Sequence, residues 1–283
     1  MKVRNIATIL MVFAFGICKL NAQISLGEKA LGAIQNGMAS LTFSNEDAAR
    51  ISLAAVKKMD STHTVAPSNN GYALRLNRVF GKHTHESGLS LNYKVYLTKD
   101  VNAFATADGS VRVFSGLMDI MDDNELLAVI GHEIGHVANQ DSKDAIKSAY
   151  RKAAIIGAVS SQSDKVAELT NSQLGQIGNA ILESKFSRKQ ESDADLFSYN
   201  FLKRNKYNVN AEEGAFTVLE TLSGSNQSDF LTKMLSSHPD PKDRADNAKA
   251  RAQADGLYKP YVQKAFSNTV KVATKKVVKK KKK

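Results

Sequence analysis

The sequence predicts a mainly helical α+β domain, with a small antiparallel sheet standing beside one long capped helix. Three observations carry that expectation. Apolar residues recur at helical spacing through most of the chain, whereas Leu89 to Leu97 alternates with the period of a strand. Between Asp122 and Gln140 a capping pattern opens a helical stretch with a continuous apolar side.

The elements follow from local punctuation. Leu26, Ala30, Leu31, Ile34, Met38 and Leu41 form one helical stripe, and Asn45-Glu46-Asp47 opens a second helix carrying Ala48, Ile51, Leu53 and Val56. Ser61 to Gly71 is polar, holds Pro67 and Asn69-Asn70-Gly71, and reads as a loop. Tyr72 to Phe80 reads as helical or irregular. His83 and His85 lie in a polar turn, where surface histidines without a metal are the expectation. Leu89, Leu91, Tyr93, Val95 and Leu97 fall on one side of a half-buried strand. Asn102 to Ala105, a turn at Asp108-Gly109 and Val111 to Phe114 complete the small sheet, with an edge strand leading to the next helix. Such an edge can receive an extended peptide as an added strand.

Asp141 to Val159 reads as a helix, and its apolar run from Ala153 to Val159 is too short to cross a bilayer. Ser160 to Asn171 is a polar connection. Lys185 to Lys206 is helical, with Leu196, Phe197, Tyr199 and Leu202 giving it a buried side. Phe216 to Leu222 and Asp229 to Met234 are short helices flanking a Ser-Gly-Ser-Asn turn. Asp240 to Ala254 is helical after Pro239, and Tyr258 to Phe266 is a last ordered piece.

Composition is that of an ordinary globular chain of 283 residues, 42% hydrophobic and 24% charged. Residues 1–22 read as a signal peptide: Lys2 and Arg4 precede an apolar run from Ile6 to Ile17, and Leu20-Asn21-Ala22 offers a cleavage site. Cys18 is the single cysteine, and Phe15-Gly16-Ile17 ahead of it fits lipid attachment poorly. Cleavage after Ala22 leaves a chain with no disulfide. Of the formal charge of +11, three charges lie in residues 1–22 and eight in residues 271–283, so residues 23–270 are net neutral. No nucleic-acid-binding face is implied for the body, which is taken as one domain over 23–266. The lysine-rich tail, 267–283, is expected to be disordered and able to meet an anionic envelope surface.

The chemistry concentrates in two helical stretches. In Asp123–Gln140 (DNELLAVIGHEIGHVANQ), His132 and His136 are four apart and share a helix face, with Glu133 beside them. Two imidazoles at that spacing can hold one Zn²⁺, and the glutamate can take a proton from a water that the ion activates. Asp122 and Glu125 form the capping box. Gly131 and Gly135, poor helix formers, call for a close neighbour. In Lys185–Lys206, Glu191 and Asp195 also share a face: the first can be a third metal ligand from a separate helix, and the second can accept the spare N–H of a ligating histidine.

These two stretches, His132-Glu133-Ile134-Gly135-His136 and Phe186 to Asp195, resemble the zinc metallopeptidases that include HtpX and the CAAX prenyl proteases. The likeness is greatest to their soluble periplasmic bacterial members. Asn102-Ala103-Phe104-Ala105 matches that family's substrate-side edge strand, and Ser237-His238-Pro239 with Arg244 matches its late motif. The resemblance implies a zincin-like fold with one Zn²⁺ per chain, held by His132, His136 and Glu191. It implies Glu133 as general base, Asp195 as the residue orienting a ligand, and Arg244 as a residue holding this region. His238 would either occupy the fourth metal position at rest or stabilise the reaction intermediate. The implied activity is endopeptidase cleavage of unfolded or misfolded envelope proteins, in the periplasm or at the outer membrane. A rival expectation from the same groove is a chaperone-like assembly factor that holds client strands, with proteolysis secondary.

Overall fold

The computed structural model describes residues 43–156, 169–223 and 228–268, without the side chains of 154–156 and 228–230. The expected signal segment, the first helical stripe, most of the polar connection after residue 156 and the lysine tail beyond residue 268 lie outside the described residues.

The chain runs α1 (Asn45–Thr62), α2 (Gly71–Phe80), β1 (His85–Glu86), β2 (Leu89–Ser90), β3 (Asn92–Tyr96), β4 (Ala103–Ala105) and β5 (Ser110–Phe114). It continues through α3 (Ser115–Ile120), α4 (Asp123–Ala138), α5 (Asp141–Ile156), α6 (Asn171–Leu182), α7 (Arg188–Arg204), α8 (Ala211–Ser223), α9 (Ser228–Ser237) and α10 (Pro241–Ala254). The mainly helical α+β class is as the sequence predicts. Among the described residues no helix is long and apolar enough to cross a membrane.

The sheet differs from a purely antiparallel one. Its order is β3-β5-β4, with β4 antiparallel and β3 parallel to β5. The connection from Leu97 to Asn102 carries the chain past the place that β5 then fills, so β5 enters between its two predecessors. The β4–β5 turn needs Gly109, whose φ is 84° and where a Cβ would stand 2.1 Å from the Ser90 carbonyl oxygen. The alternating stretch is also interrupted. β2 pairs with β1 across a turn at Ser87 and Gly88, both at positive φ, and β3 starts afresh at Asn92.

Capping chemistry sets the helix starts. The Asp122 carboxylate accepts from the Asn124 and Glu125 N–H groups at 2.9 and 3.0 Å, and Glu125 accepts from the Asp122 N–H at 2.7 Å. Ser187 and Gln190 form the equivalent box at the start of α7. α4 and α7 cross closely because glycine lines the contact. A Cβ on Gly135 would lie 3.0 Å from the Ala194 backbone, and one on Gly131 would lie 3.1 Å from Phe201. Fully buried Leu126, Ile130 and Ile134 of α4 then join Phe201 and Leu202 of α7 in the main core. Each such side chain contributes roughly 1.5–3 kcal/mol when removed from water.

A second apolar cluster joins α1, α5 and α6 through Ile51, Ala55, Ile146, Ala149 and Ile177. A cleft separates this layer from the edge strand β4. Residues 257–268 carry no helix or strand and lie across the start of α4. There the Tyr261 hydroxyl and the Lys264 N–H donate to Asp122, and the Gln263 amide donates to Glu125. The last ordered piece expected from the sequence is therefore a strap held by polar contacts.

Candidate metal centre

Three separate segments deliver the site. α4 presents His132, Glu133 and His136, the first turn of α7 presents Glu191, and the residue after α9 presents His238. All five are buried. His238 is aimed by a sharp reversal. Its N–H closes the end of α9 on the Met234 carbonyl at 2.8 Å, and Asp240, at φ 58°, turns the chain into α10. That reversal also brings Arg244 back towards the same centre.

One donor atom from each of His132, His136, Glu191 and His238 lies within 4.8 Å of the other three. His132 Nε2 stands 3.0 Å from His136 Nε2 and 3.3 Å from His238 Nδ1. Glu191 Oε1 is 3.0 Å from His238 Nδ1 and 3.4 Å from His136 Nε2. Behind the donors, His132 Nδ1 lies 2.9 Å from Asp195 Oδ1, and His136 Nδ1 lies 2.9 Å from Asp141 Oδ2. Arg244 clamps Asp195 with two bonds of 2.6 and 3.0 Å and reaches within 2.8 Å of Glu191. The face of Phe216 stacks 4.1 Å from its guanidinium carbon.

This arrangement fits a cation on its own chemistry. Each ring gives its Nδ1–H to a carboxylate, so both Nε2 atoms turn lone pairs towards one point. Two lone pairs 3.0 Å apart repel unless positive charge lies between them. The electrostatics around the two rings agree. His136 is pushed up to about 9: burial alone would lower it, but hydrogen bonds to Asp141 and Glu191 prevail. His132 falls to about 3 through burial, then the charges of Arg244 and His136. Glu191 is held well below the usual carboxylate range, because hydrogen bonds from His136 and His238 outweigh its burial. Glu133 Oε1 is buried without a hydrogen-bond partner, and such an atom is costly unless an ion or water serves it, whereas Glu191 Oε2 is ion-paired to Arg244.

Glu133 stands next to this cluster and outside it. Burial raises its pKa, and His238 Nε2 lies 3.7 Å from its Oε1. β4 forms one wall of the adjoining cleft, facing Glu133, His136, Ile146, Leu182 and Phe186. Bonds from the Thr106 N–H to Ser110 and from the Phe114 N–H to Asn102 fix which residues of β4 face β5. Ala103 and Ala105 fall between those pairs, so their backbone N–H and C=O groups point away from β5. The Ala103 N–H is taken by the Asn102 side chain at 2.9 Å. Phe186 stacks on His136 at 3.7 Å, and the cleft retains about 30 Å³ of open volume.

The structure therefore brings together His132, Glu133, His136, Glu191, Asp195, His238 and Arg244, with Asn102 to Ala105 alongside. His85 stays exposed, and His83 is buried against Tyr207 at 2.7 Å, away from the centre. Sequence reasoning missed Asp141, Gln190 and Phe186 as neighbours of the donors. Gln190 and Phe186 lie within the recognised Glu191 stretch, whereas Asp141 follows His136 only after a turn that runs through Gln140 at φ 67°.

A profile of peptidase family M48 matches residues 72–252. Metalloprotease LoiP of Escherichia coli (strain K12) is 38% identical over 238 residues, which cover 84% of this chain and 90% of LoiP. Metalloprotease YcaL of the same organism is 38% identical over 223 residues, covering 78% and 86% of the two chains. Protease HtpX of Thioalkalivibrio sulfidiphilus is similar over a shorter stretch, 34% identical across 96 residues and 32% of each chain. With a buried four-donor cluster on a helical scaffold and this likeness along most of its length, the chain belongs to peptidase family M48 and is a metalloendopeptidase.

Proposed function

We propose that the metal is zinc and that the enzyme cuts unfolded or misfolded polypeptides of the cell envelope. The observation that carries the reading is the free edge of β4 beside Glu133, His136 and His238. An extended chain pairing with that edge lays its backbone carbonyls along the donor cluster, and only unfolded segments offer such a strand. The envelope setting rests on the N-terminal signal pattern and on the lysine tail as a contact for anionic surfaces.

His132, His136 and Glu191 would hold the ion, a nitrogen and carboxylate set that suits zinc. When bound, zinc supplies the Lewis acidity that makes a water nucleophilic near neutral pH. Glu133 takes the proton of the attacking water and returns it to the leaving amine. Its raised pKa matches it to carrying that proton. Asp195 fixes His132 in the tautomer that turns Nε2 inward, and Arg244 fixes Asp195. His238, whose Nδ1 stands 3.3 Å from His132 Nε2 and 3.0 Å from Glu191 Oε1, would serve either as a further donor at rest or as a donor to the oxyanion. The narrow cleft has to widen at Phe186 and His238 before a peptide enters.

The strand-pairing step has a direct test. Ala105→Pro removes the N–H that faces the cleft on a short edge strand, a position where proline is tolerated. KM for an unfolded protein such as casein should rise by about three- to tenfold, the worth of one hydrogen bond, with kcat and metal content near the wild type. Equal KM values would remove β4 as the substrate edge. Cleavage of a stably folded protein as fast as casein would remove the substrate class.

A further inference from the structure

The two histidines of α4 are held by different kinds of carboxylate. Asp195 is neutralised where it stands, since Arg244 grips both of its oxygens. Asp141 meets no guanidinium among the described residues. Among the described residues its ion-pair partner is His136, and its other oxygen accepts from the uncharged Gln190 amide at 2.9 Å. Glu191 and Asp195 share the Arg244 guanidinium, whereas Asp141 leaves a negative charge behind His136 that no guanidinium among the described residues cancels. Without Asp141 the His136 ring loses its anchor and that charge is gone.

Asp141 is also the first residue of α5, whose Ser142, Ala145 and Ile146 line the cleft opposite β4. Through Gln190 it reaches the first turn of α7, next to Glu191. One buried carboxylate thus ties the cleft wall, the second histidine and the helix of the third donor.

We propose that Asp141 is a positioning residue of the metal centre: it holds His136 with Nε2 turned inward, supplies the charge that Arg244 does not cancel, and anchors the cleft wall to the ion. The inference rests on the proposed donor set of His132, His136 and Glu191.

The test is competition for Zn²⁺ between the purified protein and a chromophoric chelator, for wild type, Asp141→Asn and Asp141→Ala. The visible spectra of the Co²⁺-loaded proteins are compared alongside, and unfolding of the metal-free proteins checks that each is folded. Asp141→Ala should bind about 10–100-fold more weakly, the usual cost of losing a carboxylate behind a ligating histidine, and its cobalt bands should shift. Asp141→Asn should lose less, because its amide oxygen still accepts from the His136 N–H. A folded Asp141→Ala protein with wild-type affinity and an unchanged cobalt spectrum would overturn the proposal. If the alanine variant does not fold, the asparagine variant decides: weakened binding supports the role, and wild-type binding overturns it. A wild-type protein that takes up neither metal would overturn the donor set itself, an outcome distinct from failure at Asp141 alone.

Discussion

Glu133→Gln leaves the metal in place and removes cleavage. Glu133 lies outside the four-donor cluster, so its amide replacement takes no ligand away. Glutamine has nearly the same shape, and the site is closely packed, with Glu133 buried at 4% exposure. What it cannot do is accept a proton from water and pass it to an amine. Loss of a positioned base costs about 10²–10⁴-fold in rate. The comparison is kcat on an unfolded substrate beside metal per chain by elemental analysis. Activity within about threefold of wild type would show that Glu133 is not the base. The same variant separates cleavage from holding. A protein that acts chiefly by binding client strands keeps its effect on aggregation when Glu133 is changed, whereas one that acts by cleavage loses it.

Arg244→Leu should produce the largest loss of stability. The guanidinium is buried, bonded twice to Asp195, close to Glu191 and stacked on Phe216. Leucine fills part of the volume and leaves two buried carboxylates without their cation. Breaking a buried pair this way costs about 3–5 kcal/mol. The measurement is the denaturant midpoint of the metal-free protein, with added zinc recovering part of the loss because bound ion stabilises the folded state. The pH dependence adds a second signature. Burial alone would raise the Asp195 pKa, but Arg244 and His132 hold it down to about 2. A folded pKa below the unfolded one contributes stability above the ordinary carboxylate range, near 3.9, and that contribution is lost as pH falls towards about 2. Wild type should therefore weaken across that acid window, and the variant, already without the pair, should weaken less. An Arg244→Leu protein as stable as wild type at neutral pH would contradict the clamp.

The parts of this site that the sequence disclosed are those written in local spacing. His132 and His136 share a face because an α-helix repeats near four residues, and Asp122 with Glu125 announces where that helix starts. Glu191 and Asp195 were legible for the same reason. Gly131 and Gly135 signalled a close neighbour, although only the fold identifies it as α7. What stayed hidden depends on chain reversals. Asp141 reaches His136 through a turn with Gln140 in the left-handed region, and no periodicity encodes that corner. The parallel pairing of β3 with β5 depends on a connection passing over an empty lane, which strand patterning does not register. The strap at 257–268 is held largely by hydroxyl, amide and backbone donors on the α4 cap, and although Tyr258, Tyr261, Val262, Ala265 and Phe266 recur at helical spacing, the segment forms no helix and Val262 stays exposed. His238 and Arg244 were found by family resemblance. Their own neighbourhood, a histidine before a proline and an arginine on a polar helix, carries no independent signal.

The most direct measurement is an anomalous difference map collected at the zinc edge from crystals of the purified, active enzyme. One peak is expected per chain, within about 2.0–2.2 Å of His132 Nε2, His136 Nε2 and a Glu191 oxygen. An active enzyme with no peak there, or with its ion held by other residues, would contradict the account at its centre.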